Sequence, residues 1–305
     1  MVLSCLLLFI LQTAAYPIPN TRPSDVGPLQ EIQTRSESDS SVWSGTREFM
    51  YVPSVLKTMP KGPENHNRAR DTSLAQFSCS SLVYGLSAAD CVYMAEIGML
   101  GQGNNSLEDN GLIWIGADGP NTFTFVNAAD VPLILILWYA PQNDDQASFM
   151  NARVPAISYS LPNTGSAVEL SVANGLSGAW STIYDRSTAL TAFGQVDNTF
   201  GEFSSGVYAT VDVSRLVNMS GDPMTIMVSG ESGGSGGCVS DMSTCVYTCD
   251  AGTGNSCGTE RTYSLLNCGG PNAVKSMDSD GNPTGGCQGW SFGGHIDIVL
   301  TGPDS

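Results

Sequence analysis

Basic residues are scarce wherever a core could form. After residue 72 the chain holds five, Arg153, Arg186, Arg215, Arg261 and Lys275, against 22 acidic groups. The whole net charge of −17 lies in that block, because the earlier residues balance at seven of each sign. So acidic a body repels phosphate backbones and anionic membrane surfaces, and it lacks the Lys/Arg stripe that counterion-release binding needs, which excludes nucleic acid as a partner. An uncharged ligand such as a glycan, a cation or a basic surface stays open.

Histidine is nearly as rare, with only His66 and His295. This weighs against reading Gly230-Glu231-Ser232-Gly233-Gly234 as a serine nucleophile motif, since a serine needs a base. His66 sits in a low-complexity stretch. His295 has the right order, but no helical pattern follows the serine, and a Gly/Ser linker accounts for the segment. Zinc at Cys245-x3-Cys249 would need reduced thiolates and has one histidine nearby, so no metal is expected. Asp278-Ser279-Asp280-Gly281-Asn282 alternates oxygen ligands as a calcium loop does. It puts Pro283 where glycine is required and Gly289 where a bidentate glutamate is required, so a polar turn is expected. No cofactor is implied.

Long apolar runs are also missing. Val2 to Leu11 gives about ten apolar residues and Pro132 to Tyr139 fewer, against the roughly 20 that span a bilayer. No membrane anchor is expected. The first run ends in Gln12-Thr13-Ala14-Ala15, whose small residues suit signal-peptide cleavage after Ala15, so export to the extracellular space is expected. Residues 16–72, rich in Pro, Ser, Asn and Arg, have the profile of a disordered leader or pro-segment. No internal repeat is visible.

Cysteine is plentiful. Removing a signal with Cys5 leaves eight: Cys79, Cys91, Cys238, Cys245, Cys249, Cys257, Cys268 and Cys287. An even count in an exported chain predicts a disulfide framework, with Cys79–Cys91 as a local pair and three bridges among the other six, which allow 15 connectivities. The sequons at Asn104 and Asn218 fit an exported surface.

Ordered structure is expected from about residue 73. Ser87-Ala88-Ala89-Asp90 resembles a capping box with Val92, Ala95 and Met99 behind it, predicting one helix over about 87–99. The period then changes to two. Leu112–Ala117, Asn121–Asn127, Pro132–Tyr139, Val154–Ser160, Ala167–Val172, Ala179–Tyr184, Thr199–Ser204, Tyr208–Val213 and Met224–Ser229 are short, β-branched and aromatic, and punctuated by Gly, Asn, Asp and Pro. They predict an all-β sandwich or flattened barrel, with a Gly/Ser run, a cysteine-dense segment and a last strand at His295–Leu300 to follow.

Glu202 and Asp212 lie in two of these stretches, Thr199 to Phe203 and Thr210 to Ser214. On adjacent strands they would share one surface and could serve as acid and base, or acid and nucleophile, in glycoside hydrolysis. Arg186 upstream would hold one of them ionised.

At these residues the chain resembles the thaumatin-like superfamily. The order Gly178-Ala179-Trp180, Tyr184-Asp185-Arg186-Ser187, Thr199-Phe200-Gly201-Glu202-Phe203-Ser204, Val211-Asp212-Val213-Ser214-Arg215-Leu216-Val217-Asn218, Pro223-Met224-Thr225-Ile226 and then Cys238 is similar to that family's motif order. Phe125-Val126-Asn127 and Leu137-Trp138 resemble its first strands. About 120–300, including Gly285-Gly286-Cys287-Gln288-Gly289, looks most like fungal secreted effector and allergen-type cysteine-rich proteins.

The resemblance implies a thaumatin-like β-sandwich over 73–305 with an acidic cleft lined by Arg186, Glu202 and Asp212. That cleft is associated with β-glucan binding and, in some members, weak glucanase activity. The family's Thr-Gly-Asp-Cys-Gly loop is absent between Arg186 and Glu202, and Asn218 replaces its second aspartate. The expectation is therefore a monomeric, effector-like secreted protein that binds cell-wall polysaccharide or a host-surface component through an acidic groove. The alternatives are a weak β-1,3-glucan hydrolase using Glu202 and Asp212, and a structural extracellular antigen whose acidity serves solubility.

Overall fold

The computed structural model describes residues 77–140, 154–229, 237–250, 255–257, 263–279 and 281–303. The expected signal segment, the leader and Ser232 lie outside these residues. One short helix, α1 (Ala88–Glu96), opens the described chain. Nine strands follow close to where the period-two pattern places them: β1 (Ile113–Ile115), β2 (Asn121–Asn127), β3 (Leu133–Tyr139), β4 (Ile157–Leu161), β5 (Ala167–Val172), β6 (Ser177–Tyr184), β7 (Phe200–Ser204), β8 (Thr210–Ser214) and β9 (Met224–Val228). Then come β10 (Cys238–Ser240), β11 (Val246–Cys249), β12 (Tyr263–Leu266), β13 (Ala273–Met277), β14 (Pro283–Cys287) and β15 (Gly294–Leu300).

The strands form two sheets. Sheet A runs β1-β5-β2-β15-β9-β10, and sheet B runs β12-β11-β8-β7-β6-β3-β4, with the β13–β14 hairpin also joined to β8. Their inner faces meet through aromatic rings. Phe123 on β2 sets its edge against Phe203, Trp180 and Trp290 at centroid distances of 5.2, 5.9 and 5.7 Å, and Phe125 meets Trp180 at 5.3 Å. Such edge-to-face pairs add about 0.5–1.5 kcal/mol each beyond the area they bury. Gly201 faces Trp180 in the ladder, and a Cβ there would lie 2.1 Å from the indole. Glycine is what lets that ring lie flat across β7.

β2 keeps one wet face, burying Phe123 and Phe125 while Thr122, Thr124 and Val126 are half-buried. β3 is different, buried from Leu133 through Trp138. It lies between β4 and β6, and its outer side is covered as well as its inner one. Part of that cover is α1. Its capping serine Ser87 accepts from the Asp90 amide, while Asp90 accepts from Ser160 of β4 at 2.5 Å, and the Tyr93 hydroxyl donates to the Thr188 carbonyl. The helix is shorter than expected, since Ile97 already caps its C-terminus.

All eight cysteines after residue 72 are bridged, as Cys79–Cys91, Cys238–Cys287, Cys245–Cys268 and Cys249–Cys257. The cysteine-dense segment, in which the sequence pattern marks no strands, is built into both sheets. It supplies β10 to sheet A and β11, β12 and β14 to sheet B. These strands are three to five residues long and rich in Gly, Ser and Cys, so their periodicity is too short to register.

Candidate functional site

Glu202 and Asp212 are directly opposed in the antiparallel β7–β8 ladder. Register extends the row across sheet B as Trp138, Ala179, Glu202, Asp212, so all four project from one face, away from the aromatic inner core. Opposed residues in such a ladder have Cα atoms about 4.5–5.5 Å apart, which places two carboxyls together as an acid–base site requires.

Solvent access differs from the expectation. Glu202 is 2% exposed and Asp212 0%, so the pair lies under cover rather than in an open acidic groove. The reason lies in the cysteine-dense segment. β14 joins β8 at Cys287 opposite Val211, and it passes Asp212 as glycine: a Cβ on Gly286 would lie 3.3 Å from Asp212 Oδ2 and 2.9 Å from the Val211 carbonyl. Tyr247 of β11 is paired with Ser214, two residues from Asp212 on the same face, and its hydroxyl donates to the Gly285 carbonyl at 3.4 Å.

Among the described residues, neither carboxyl oxygen of Asp212 has a hydrogen-bond partner. Burial pushes the Asp212 carboxyl well above the usual carboxylate range, and the charge of Glu202 pushes it further. The Tyr247 phenol is raised by burial and then by Asp212, Glu202 and Tyr263. Burial and the neighbouring Glu202 charge both favour the protonated form of Asp212.

Arg186 does not join this cluster. It follows the end of β6, and the stretch from Ala179 to Arg186 spans on the order of 20 Å. There its guanidinium sits 3.4 Å from Asp90 Oδ1, at the helix. Arg215 donates instead to the carbonyls of Met242 and Met219. Two carboxyls and a phenol thus share a water-poor space, and neither of these two cations faces Asp212.

Other candidates resolve more simply. Asp278 accepts from the Asn282 amide and side chain at 2.7 and 2.9 Å, so its carboxylate closes its own turn. The Sγ atoms of Cys238, Cys245 and Cys287 lie within 4.8 Å of one another, but each is committed to a disulfide. His295 contacts the Thr122 hydroxyl at 2.7 Å and Asp297 at 3.1 Å on the half-exposed face of sheet A. Among the described residues no helix is long and apolar enough to cross a membrane.

The two sequons differ in availability. Asn104 is exposed, and its backbone N–H donates to Ala156. The Asn218 amide nitrogen donates to the Asp197 carboxylate at 3.0 Å, and its oxygen accepts from Ser220 and Asn255. A glycan on Asn218 must displace contacts that close its loop. Expression in a eukaryotic secreting host is expected to give occupancy at Asn104 and little at Asn218, read by mass spectrometry of glycosidase-released peptides. Full occupancy of Asn218 with an unchanged melting temperature would contradict this.

No family model matches the chain. A stretch of 39 residues, 13% of the chain, is 49% identical to part of the phosphatidylinositol transfer protein SFH5 of Chaetomium globosum. The chain spans 9% of that protein's length.

Proposed function

We propose that this chain is a secreted, disulfide-stapled thaumatin-like protein that binds a neutral cell-wall polysaccharide of β-glucan type, or a host-surface component, without hydrolysing it. The motif order from Gly178 to Cys238, the net charge of −17 and the oxidised cysteine framework support export and a ligand that carries no negative charge. The observation that carries the non-catalytic half is the burial of the opposed Glu202–Asp212 pair. Glycoside hydrolysis needs two carboxyls that flank the scissile bond and leave room for water. A pair sealed by Tyr247 and a glycine strand offers neither.

Incubating the full chain with insoluble β-1,3-glucan, chitin and cellulose, with released reducing sugar measured beside retention, tests this. Retention on glucan without sugar release is expected, and Glu202→Gln with Asp212→Asn should leave retention unchanged. Sugar release that the double substitution abolishes would favour the hydrolase. Retention on none of the three would favour a host-surface ligand or the structural antigen.

A further inference from the structure

We propose that Val207, Tyr208 and Phe292 form a stacking platform for the sugar rings of a neutral polysaccharide; this rests on the binding reading above and gives it a place. The three side chains are 57%, 61% and 65% exposed. They come from the turn between β7 and β8 and the loop between β14 and β15, and backbone contacts stitch these together. The Phe292 amide donates to the Gly206 carbonyl at 3.3 Å, and the Ser291 hydroxyl donates to the Val207 carbonyl at 3.1 Å. The β5–β6 turn completes the tip, because Asn174 donates to the Phe292 carbonyl and Ser205 to the Ala173 carbonyl.

The base beneath these rings is rigid. Trp290, two residues before Phe292, is fully buried against Phe123 and donates its indole N–H to the Cys287 carbonyl. Phe292 itself has a φ of 63°, a left-handed conformation that bulky residues rarely adopt. The loop therefore holds a large apolar ring out in water in an unfavourable backbone conformation, where glycine or asparagine would fold more easily. Backbone strain of this kind, kept in place by its surroundings, concentrates at binding sites.

Charge and size select the ligand. Residues 173–177, 204–210 and 287–294 contain no Asp, Glu, Lys or Arg, in a protein with 29 acidic residues. Asp118, in the neighbouring β1–β2 turn, accepts the Trp114 indole N–H at 2.6 Å. Among the described residues, the three segments that build the tip are thus uncharged and suit a neutral partner. The negative faces of aromatic rings attract the weakly positive C–H face of a pyranose, and Asn174 and Ser291 beside them can meet its hydroxyls. Three side chains fall far short of the roughly 800 Å² per partner that a stable protein interface buries. The net charge repels anionic lipid.

The test uses the full chain with Tyr208→Ala, Phe292→Gly and both together, on the same three polysaccharides and on phosphatidylcholine vesicles. Glycine suits the backbone at 292, so Phe292→Gly is expected to melt no lower than wild type, and it keeps the test usable if the double variant folds poorly. Glucan retention should fall about tenfold or more in the double variant, as loss of central aromatic anchors does elsewhere. Retention equal to wild type would overturn the platform while leaving polysaccharide binding in place. Wild type bound to no polysaccharide would overturn both. Capture by the vesicles alone, lost in the variants, would assign the tip to lipid and overturn the proposal.

Discussion

The protein is expected to lose stability steadily as the pH rises above about 4, by about 1.4 kcal/mol per pH unit for each proton that the folded state retains and the unfolded state releases. The group responsible is Asp212. Unfolded, its carboxyl titrates near the ordinary value of about 3.9. Folded, burial and the charge of Glu202 hold its pKa well above that. Between the two values the folded state binds more protons, so its advantage is complete below the unfolded pKa and is lost as pH climbs towards the folded one. Asp222 acts in the same direction, through burial offset by its bond from Asn198. Asp241 opposes it: burial raises that carboxyl, but hydrogen bonds from Ser243 and Thr244 outweigh burial and leave it lowered, so its contribution is lost in acid.

Asp212→Asn isolates the buried group. The variant keeps the shape and cannot ionise, so it should match wild type near pH 3, exceed it at pH 7 and flatten the profile between. Glu202→Gln should flatten it only partly, because burial, the larger cause, remains. Thermal unfolding of the three proteins across this pH range is the measurement. A flat wild-type profile, or an Asp212→Asn protein less stable than wild type at pH 7, would show that the pair is held as ions by partners other than Tyr247 and the β14 backbone.

The second large effect concerns Cys238–Cys287. This bridge closes a loop of 49 residues, the longest of the four, and joins β10 of sheet A to β14 of sheet B. Loop-closure entropy assigns it about 4 kcal/mol, against about 3 for Cys79–Cys91, whose separation is 12. Replacing both cysteines by alanine should therefore lower the denaturation midpoint more than the Cys79→Ala, Cys91→Ala pair does. It should also open the space over Asp212, since Cys287 is the β14 residue paired with β8. The expected signature is a loss of stability together with a weaker pH dependence, as water reaches the carboxyl. Loss of stability with unaltered pH dependence would mean that β14 stays in place without its bridge.

Much of the framework was legible because its signals are local. Thr122-Phe123-Thr124-Phe125-Val126 alternates over a full strand, and Ser87 with Asp90 marks a helix start, and both elements form there. An even count of eight cysteines after the expected export signal foretold four bridges, and all four formed. β10 to β14 were not legible, because runs of three to five residues dense in Gly, Ser and Cys carry no period to read. Gly285 and Gly286 read as composition, and only the ladder shows that a bare backbone is needed where β14 crosses Asp212.

The candidate site divides the same way. Chemistry sits in residue types, so Glu202 and Asp212 could be singled out as a pair, and their alternation placed them on one face. Whether that face was wet could not be read, since burial depends on strands that arrive more than thirty residues later along the chain. Arg186 misled for a related reason: proximity in sequence to β6 does not say which end of the strand it caps, and the fold gives it to Asp90. Composition and local pattern by themselves determined an acidic, oxidised, all-β chain with two carboxyls side by side. Only tertiary structure decided that those carboxyls are enclosed and which aromatic rings stand exposed, because enclosure is a property of long-range packing and no local run of residues encodes it.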